Sequence, residues 1–133
     1  MHKKNLFLAF IAMSCLMSCD KLDIDDEETF KKYYMYRISV LSDYELALNN
    51  EEPHAICCQE WMYFLENCSY LESLTGCCFH FINSEPPHYL NHSLFVEDSL
   101  YLQEWLAENG KKWTMRKSDA YVYKKRRGHS VYY

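Results

Sequence analysis

The residues of this sequence with the side chains best suited to disulfide bonding or metal binding are its cysteines and histidines. They form two groups about twenty residues apart with one cysteine between them: His54, Cys57 and Cys58, then Cys68, then Cys77, Cys78 and His80. In an oxidising compartment such thiols form disulfides, and an odd number of them leaves at least one thiol free. The first interpretation is therefore disulfide bonding within this cluster.

The spacing limits which disulfides can form. A helix of twenty residues is about 30 Å long, whereas a disulfide holds two α-carbons about 6 Å apart. A bond from Cys57 or Cys58 to Cys77 or Cys78 therefore needs a break in the helix near residues 67–69, or a chain that doubles back. A returning loop reaches Cys68 more easily, because only about 13 Å of helix separates it from Cys77. The sequence does not decide which of these cysteines form disulfides with one another.

A metal site is the alternative use of the same side chains. His54, Cys57 and Cys58 have helical spacings of three and four, and Cys77 to His80 supplies a second group. Thiolate and imidazole ligands suit zinc or copper(I), but zinc fingers and ribbons space their paired ligands differently. We expect no cofactor, with zinc or copper(I) as the alternative. A third interpretation is that the thiols are buried and inert, packing as small apolar side chains.

No catalytic motif surrounds these residues. The glutamates of the middle of the chain have the spacing of a solvated helix surface, which explains them without a reaction. The sequence has three glycines and none lies in a loop that could cradle a phosphate. We therefore predict that the protein is not an enzyme.

The elements that must position these residues are mostly helices. Apolar residues recur every three or four positions in two segments, from Phe30 to Leu48 and from Cys57 to Thr75. This period predicts two helices, and Gly76 is suited to cap the second in a left-handed conformation. A helical hairpin over about residues 28–75 is the expected first half of the domain.

A long loop and a third helix follow. The stretch 76–96 contains Pro86 and Pro87 and is long for a connection without regular structure, so it either packs by its aromatic side chains or carries function. Asp98 or Ser99 is expected to cap a helix that ends at Asn109. Alternation in residues 113–116 and 120–123 predicts a short C-terminal β-hairpin. The expected fold class is mostly α, a small helical domain with this hairpin as a possible addition.

The N-terminus has the features of a secretory signal peptide. Lys3 and Lys4 precede a run of 13 mostly apolar residues, too short to span a bilayer as a helix. The four residues Leu-Met-Ser-Cys that end at Cys19 resemble a bacterial lipobox. The resemblance implies cleavage before Cys19 and lipidation (diacylglyceryl and palmitate) of its thiol. A lipoprotein of the inner or outer membrane, facing the periplasm or the cell surface, is therefore expected.

The middle of the chain carries a second resemblance. Residues 64–113 combine a helix ending in Leu-Thr-Gly76, a proline-rich loop and a Trp-bearing acidic helix that ends at Asn109. This arrangement is similar to small HEAT-like helical proteins of bacterial envelopes, whose function is unassigned. It implies a mostly helical fold, and no catalytic residue can be carried over from it. The expected divisions are a signal peptide at 1–18, an acidic tether at 19–28, one helical domain at 29–123 and a basic tail at 124–133.

Charge and aromatic content point to a protein partner. Residues 20–108 carry 18 acids and four bases, a balance of −14, whereas residues 109–133 carry eight bases and one acid, a balance of +7. The basic end could fold onto the acidic body, bind an anionic partner, or simply be solvated. Tyrosine, tryptophan and arginine are enriched at the centres of protein interfaces. The candidate contacts are Tyr33, Tyr36, Trp113, Arg116, Tyr121, Tyr123, Arg126 and Arg127.

The expected function is therefore that of a non-catalytic envelope lipoprotein, a binding or structural module. One form is an immunity or inhibitor protein that binds a secreted toxin or hydrolase. Small size, acidity and a lipid tether favour this, because charge speeds the encounter with a basic partner. Nucleic acid is not expected as a partner. The alternative function is a metal-binding or thiol redox sensor that uses the cysteine and histidine cluster.

Overall fold

The computed structural model describes residues 23–49 and 56–129. This part of the chain folds into four α-helices, and α3 is followed directly by a 3-10 turn at Gly110–Lys112. The helices are α1 (Glu27–Asn49), α2 (Cys58–Thr75), α3 (His92–Asn109) and α4 (Met115–His129). No strand occurs in these two ranges, and the prediction of a small, mostly helical domain is confirmed.

Helices α1 and α2 form the expected antiparallel hairpin. Tyr33 near the start of α1 contacts Tyr70 near the end of α2, with ring centroids 6.1 Å apart. Towards the other end, Tyr44 stacks on Phe64 with centroids 3.9 Å apart. Helix α2 ends as predicted at Gly76, which has φ 75° and donates its N–H to the carbonyl of Glu72. A left-handed residue here favours glycine, because a Cβ atom would be strained.

The core lies where the four helices meet. Helix α1 provides Phe30, Tyr34, Ile38 and Leu41, and α2 provides Phe64, Cys68, Leu71 and Leu74. Leu102 closes the core from α3 and Val122 closes it from α4. The hydroxyl of Tyr34 donates to the carbonyl of Leu102 at 2.7 Å, so this large ring is buried without an unsatisfied polar atom.

The N-cap of helix α3 lies seven or eight residues before the position expected for it, Asp98 or Ser99. Its N-cap is Asn91, whose side chain accepts a hydrogen bond from the backbone N–H of Leu94 at 3.2 Å. An asparagine side chain satisfies one of the free N–H groups of a first turn as well as aspartate or serine does. Asp98 therefore lies inside the helix and is buried, with 1 % of its surface exposed.

The loop between α2 and α3 is shorter than expected and packs against the domain. Pro87 is fully buried, and its carbonyl accepts a hydrogen bond from Tyr44 at 2.6 Å. Ile82 and His88 form an isolated antiparallel bridge, so the chain reverses between them. Aromatic contacts from Phe64 to Phe81 and from Phe81 to Tyr89 fix the loop on α2.

The predicted C-terminal β-hairpin is wrong, because residues 115–129 form α4. Thr114 caps this helix: its hydroxyl accepts the N–H of Lys117 at 3.2 Å, and its carbonyl accepts the N–H of Ser118. Ser118 and Val122, four residues apart, are the buried positions. That spacing is helical, and packing of this face outweighs the short alternation in the sequence.

Candidate partner-binding surface

The guanidinium of Arg37 is the centre of an aromatic cluster on α1 and α2. Its Cζ lies 3.5 Å from the ring centroid of Tyr70 and 4.6 Å from that of Tyr33. Arg37 also donates to the hydroxyl of Tyr33 and to Oδ1 of Asn67, and Asn67 donates back to the carbonyl of Arg37 at 2.7 Å. Stacking and reciprocal hydrogen bonds hold this side chain in one position.

The partners of the Arg37 guanidinium are aromatic rings and an amide, and none of its partners in the described part of the chain is an acid. Among the described residues, no carboxylate forms an ion pair with it, and its buried Nε has no hydrogen-bond partner. The tyrosine faces supply the electrostatic stabilisation that a carboxylate would otherwise give. The guanidinium is therefore held among the tyrosines by cation–π contacts and hydrogen bonds.

Two exposed tyrosines bridge the hairpin next to Arg37. The hydroxyls of Tyr36 and Tyr63 lie 3.2 Å apart, and the residues are 48 % and 52 % exposed. This hydrogen bond, followed by partial burial, raises the pKa of Tyr63 above its usual value. We call Tyr33, Tyr36, Arg37, Tyr63 and Tyr70 the tyrosine–arginine surface.

Helix α4 borders this surface and is fixed to α2. The hydroxyl of Tyr70 donates to Oδ1 of Asp119 at 2.7 Å and lies 3.0 Å from Oγ of Ser118. Burial is the largest cause of the raised pKa of Tyr70, so the hydroxyl remains a donor. Further along α4, Nη1 of Arg126 lies 3.8 Å from a carboxylate oxygen of Glu66.

The residues predicted as partner contacts do not all lie together. Tyr33 and Tyr36 belong to the tyrosine–arginine surface, and Arg126 lies at its α4 border. The other predicted contacts pack elsewhere along α4 and the turn before it: Trp113 against Trp105 and Tyr121, Arg116 on Asp25, and Arg127 over Tyr123. Lys125 donates to the carbonyl of Ser73, so part of the basic end does fold onto α2.

Sequence reasoning missed Arg37, Tyr63 and Tyr70 as members of this surface. The signal was present, because Arg37 follows Tyr33 by four residues and therefore shares its side of a helix. In an antiparallel hairpin, residues late in α2 lie beside residues early in α1. That register would have brought Tyr70 to Tyr33, but it does not bring Tyr63, which lies near the start of α2, to Tyr36.

The cysteines separate into exposed and buried thiols. All five in the described ranges are free: Cys57, Cys58 and Cys78 are exposed, and Cys68 and Cys77 are buried. Burial raises the pKa of Cys77 to about 12, with a smaller contribution from the charge of Asp98. Burial likewise raises the pKa of Cys68. The remaining predicted residues, Cys19 and His54, lie outside the described ranges.

His80 binds the buried carboxylate of Asp98 and not a cysteine. Its Nδ1 lies 2.5 Å from Oδ1 of Asp98, and its backbone N–H donates to Oδ2 at 2.9 Å. The hydroxyl of Tyr89 also donates to Oδ2, at 2.8 Å. The hydrogen bond of His80 to Asp98, and then the charge of Asp98, raise the pKa of His80, whose side chain is 45 % exposed. This arrangement anchors the loop before α3 to that helix.

Within the described ranges, no group of three or more histidine, cysteine, aspartate and glutamate side chains is arranged to hold a metal ion. None of the helices in the same ranges has both the length and the apolar character that crossing a membrane requires. Comparison of the chain with protein-family models, with curated proteins and with solved structures found no match.

Proposed function

We propose that this chain is a lipid-anchored envelope protein that binds a protein partner through the tyrosine–arginine surface and catalyses no reaction. The observation that carries the proposal is the pair of half-exposed, hydrogen-bonded tyrosines, Tyr36 and Tyr63, beside the held guanidinium of Arg37. Tyrosine and arginine that are already fixed lose little side-chain entropy on binding, which favours their use at the centre of an interface.

A secreted toxin or hydrolase is the partner that we favour. Residues 20–108 are strongly acidic, and an acidic protein meets a basic partner quickly through electrostatic steering. An inhibitor needs a rigid contact surface and no active site of its own. The fixed tyrosines meet the first requirement, and the lipid at Cys19 would hold the inhibitor where such a partner arrives.

The test is site-specific crosslinking of the full chain in the envelope of its own cell. A photoreactive amino acid is placed at Tyr36 or at Tyr63, with Leu46 as the matched control because it is on the same helix and 63 % exposed. We expect a discrete crosslinked product of defined mass from the two tyrosine positions and none from Leu46. The absence of a product at both tyrosines would overturn the proposal.

Affinity measurements with the identified partner complete the test. Tyr36→Ala and Tyr63→Ala should each weaken binding by about thirtyfold, the effect of an interface residue worth about 2 kcal/mol. Leu46→Ala should leave binding unchanged. Equal effects of all three substitutions would place the contact elsewhere.

A further inference from the structure

The outward side of α3 carries exposed apolar side chains with acids beside them, and at one edge the hydroxyl of Tyr101 donates to the carbonyl of Thr75 at 2.9 Å. Val96, Leu100 and Tyr101 are 40 %, 51 % and 43 % exposed. Glu97, Glu104 and Glu108 are exposed beside them, and α3 contains no lysine or arginine. We call these six residues the acidic face. Exposed apolar side chains rimmed by charges of one sign are typical of an interaction surface.

The outward side of α4 has the opposite charge. Lys117, Tyr121 and Lys124 are exposed at spacings of four and three residues, with Ala120 beside them. The other lysine and arginines of α4 have partners within the chain: Arg116 pairs with Asp25, Arg126 lies near Glu66, Lys125 binds the carbonyl of Ser73, and Arg127 lies over the ring of Tyr123. No ion pair of Lys117 or Lys124 occurs in the described ranges. We call Lys117, Ala120, Tyr121 and Lys124 the basic face.

The two faces match in register. Glu97, Tyr101 and Glu104 are separated by four and three residues, as are Lys117, Tyr121 and Lys124, so each outer pair of charges is about 10 Å apart along its helix. The buried residues also have matching positions in the two helices. Asp98 and Leu102 follow Glu97 by one and five residues, and Ser118 and Val122 follow Lys117 by one and five residues. Each charged face therefore has the same orientation relative to the core-facing side of its helix.

We infer that the basic face of one copy of this chain docks on the acidic face of a second copy. Tyr121 would then meet the exposed side chains of Leu100 and Tyr101 while two lysines pair with glutamates. Because the two faces differ, the contact is head-to-tail, and it produces a closed ring or an open chain of copies. It uses neither Tyr36 nor Tyr63, so it stands independently of the partner-binding proposal.

Charge reversal tests this contact in the full chain. Two differently tagged copies are expressed together, extracted in a mild detergent and purified through one tag, and the recovery of the second tag is measured. Lys117→Glu with Lys124→Glu in both copies should reduce recovery at least about tenfold, because glutamates then face glutamates. Glu97→Lys with Glu104→Lys in both copies should do the same. Raised salt should weaken the native contact.

Complementation distinguishes loss of the proposed contact from misfolding of the variants and from co-purification in a shared micelle. A copy with the reversed basic face, mixed with a copy with the reversed acidic face, regains opposite charges at the contact. So does a chain carrying all four substitutions. We expect recovery to return in both cases, with thermal unfolding unchanged throughout. If neither combination restores recovery, or if the native copies do not associate, the inference is wrong. Binding of the acidic face to a different basic protein would then be the explanation of its exposure.

Discussion

A buried carboxylate needs hydrogen-bond donors in place of water, and Asp98 accepts three hydrogen bonds. The ring and the backbone N–H of His80 supply two, and the hydroxyl of Tyr89 supplies the third. Hydrogen bonds to a charged group are stronger than neutral ones, and leaving the partners unpaired would be costly. At the scale of single residues, Asp98 therefore fixes the loop before α3, while its partner His80 keeps contact with solvent.

The stability contributed by His80 should depend on pH. Asp98 raises the pKa of His80 in the folded chain above the usual 6.5, so the protonated form is favoured by folding. The contribution is fully present below the unfolded pKa and is lost as pH rises through the folded pKa. We expect the difference in unfolding midpoint between the native chain and His80→Gln to shrink from about pH 5.5 to about pH 9. Urea unfolding at both values measures it.

His88→Gln is the matched control for this measurement. His88 is exposed in the same loop and lies 3.0 Å from the hydroxyl of Ser84, with no carboxylate contact in the part of the chain that the structure describes. Its substitution leaves the hydrogen bonds between His80 and Asp98 in place, so it measures the effect of losing a different histidine from this loop. A constant difference for His80→Gln would mean that its pair with Asp98 adds no pH-dependent stability.

Residue types alone could predict some members of the site but not their partners. Tyr33 and Tyr36 were identifiable because interface centres favour tyrosine. The buried role of Asp98 was not, although Asp98 shares the helical stripe of Phe95 and Leu102. From the sequence alone, an acid on an apolar stripe is interpreted as a helix cap. Its burial can be predicted only when its hydrogen-bond donors are known, and the donors of Asp98 lie in a loop that has no periodic pattern.

At the scale of elements, α4 shows how a short pattern misleads. Residues 113–116 and 120–123 alternate in the manner of strands, but each stretch is only four residues long. Ser118 between them is polar and yet fully buried, because it is in contact with Tyr70. Once Thr114 is recognised as a cap, positions 115, 118 and 122 form one inward side of a helix. The apolar stripes of α1 and α2 are much longer, and they predicted the two helices correctly.

Removing the cap of α4 should destabilise the domain. Thr114→Ala leaves the N–H of Lys117 without its side-chain acceptor, so we expect the free energy of unfolding to fall by about 1 kcal/mol. Thr114→Ser keeps an acceptor and should cost less than half as much. Urea unfolding followed by far-UV circular dichroism provides the comparison. Equal losses for the two variants would show that the methyl group of Thr114, and not its hydroxyl, stabilises α4.

At the scale of the whole molecule, thiol labelling should report global unfolding. Cys57, Cys58 and Cys78 are exposed and should react with a maleimide in the folded protein. Cys68 and Cys77 are each 2 % exposed and burial raises their pKa values, so they should react only when the core opens. Mass spectrometry of the labelled peptides distinguishes the sites. Labelling of Cys77 as fast as its neighbour Cys78 would contradict this packing.

The burial of two cysteines and the exposure of three show which property of the whole molecule the sequence does not predict. The spacing of the thiols limits which disulfides can form, but it does not predict which thiols are buried in the core. Cys77 and Cys78 are adjacent, and only Cys77 turns inward after the left-handed residue Gly76. That outcome depends on how the loop returns across α2 and α3, a long-range contact that no local pattern records.

The start of the described chain is joined to α4 and not only to the helix that follows it. The backbone N–H of Arg116 donates to the carbonyl of Ile24 at 3.2 Å, and its guanidinium pairs with Asp25 at 2.9 Å. In a protein held by its N-terminus, any mechanical load enters at this point. Such a load would act on these two contacts with α4 as well as on the first turn of α1. The fold is therefore braced at the end where a lipid anchor would pull.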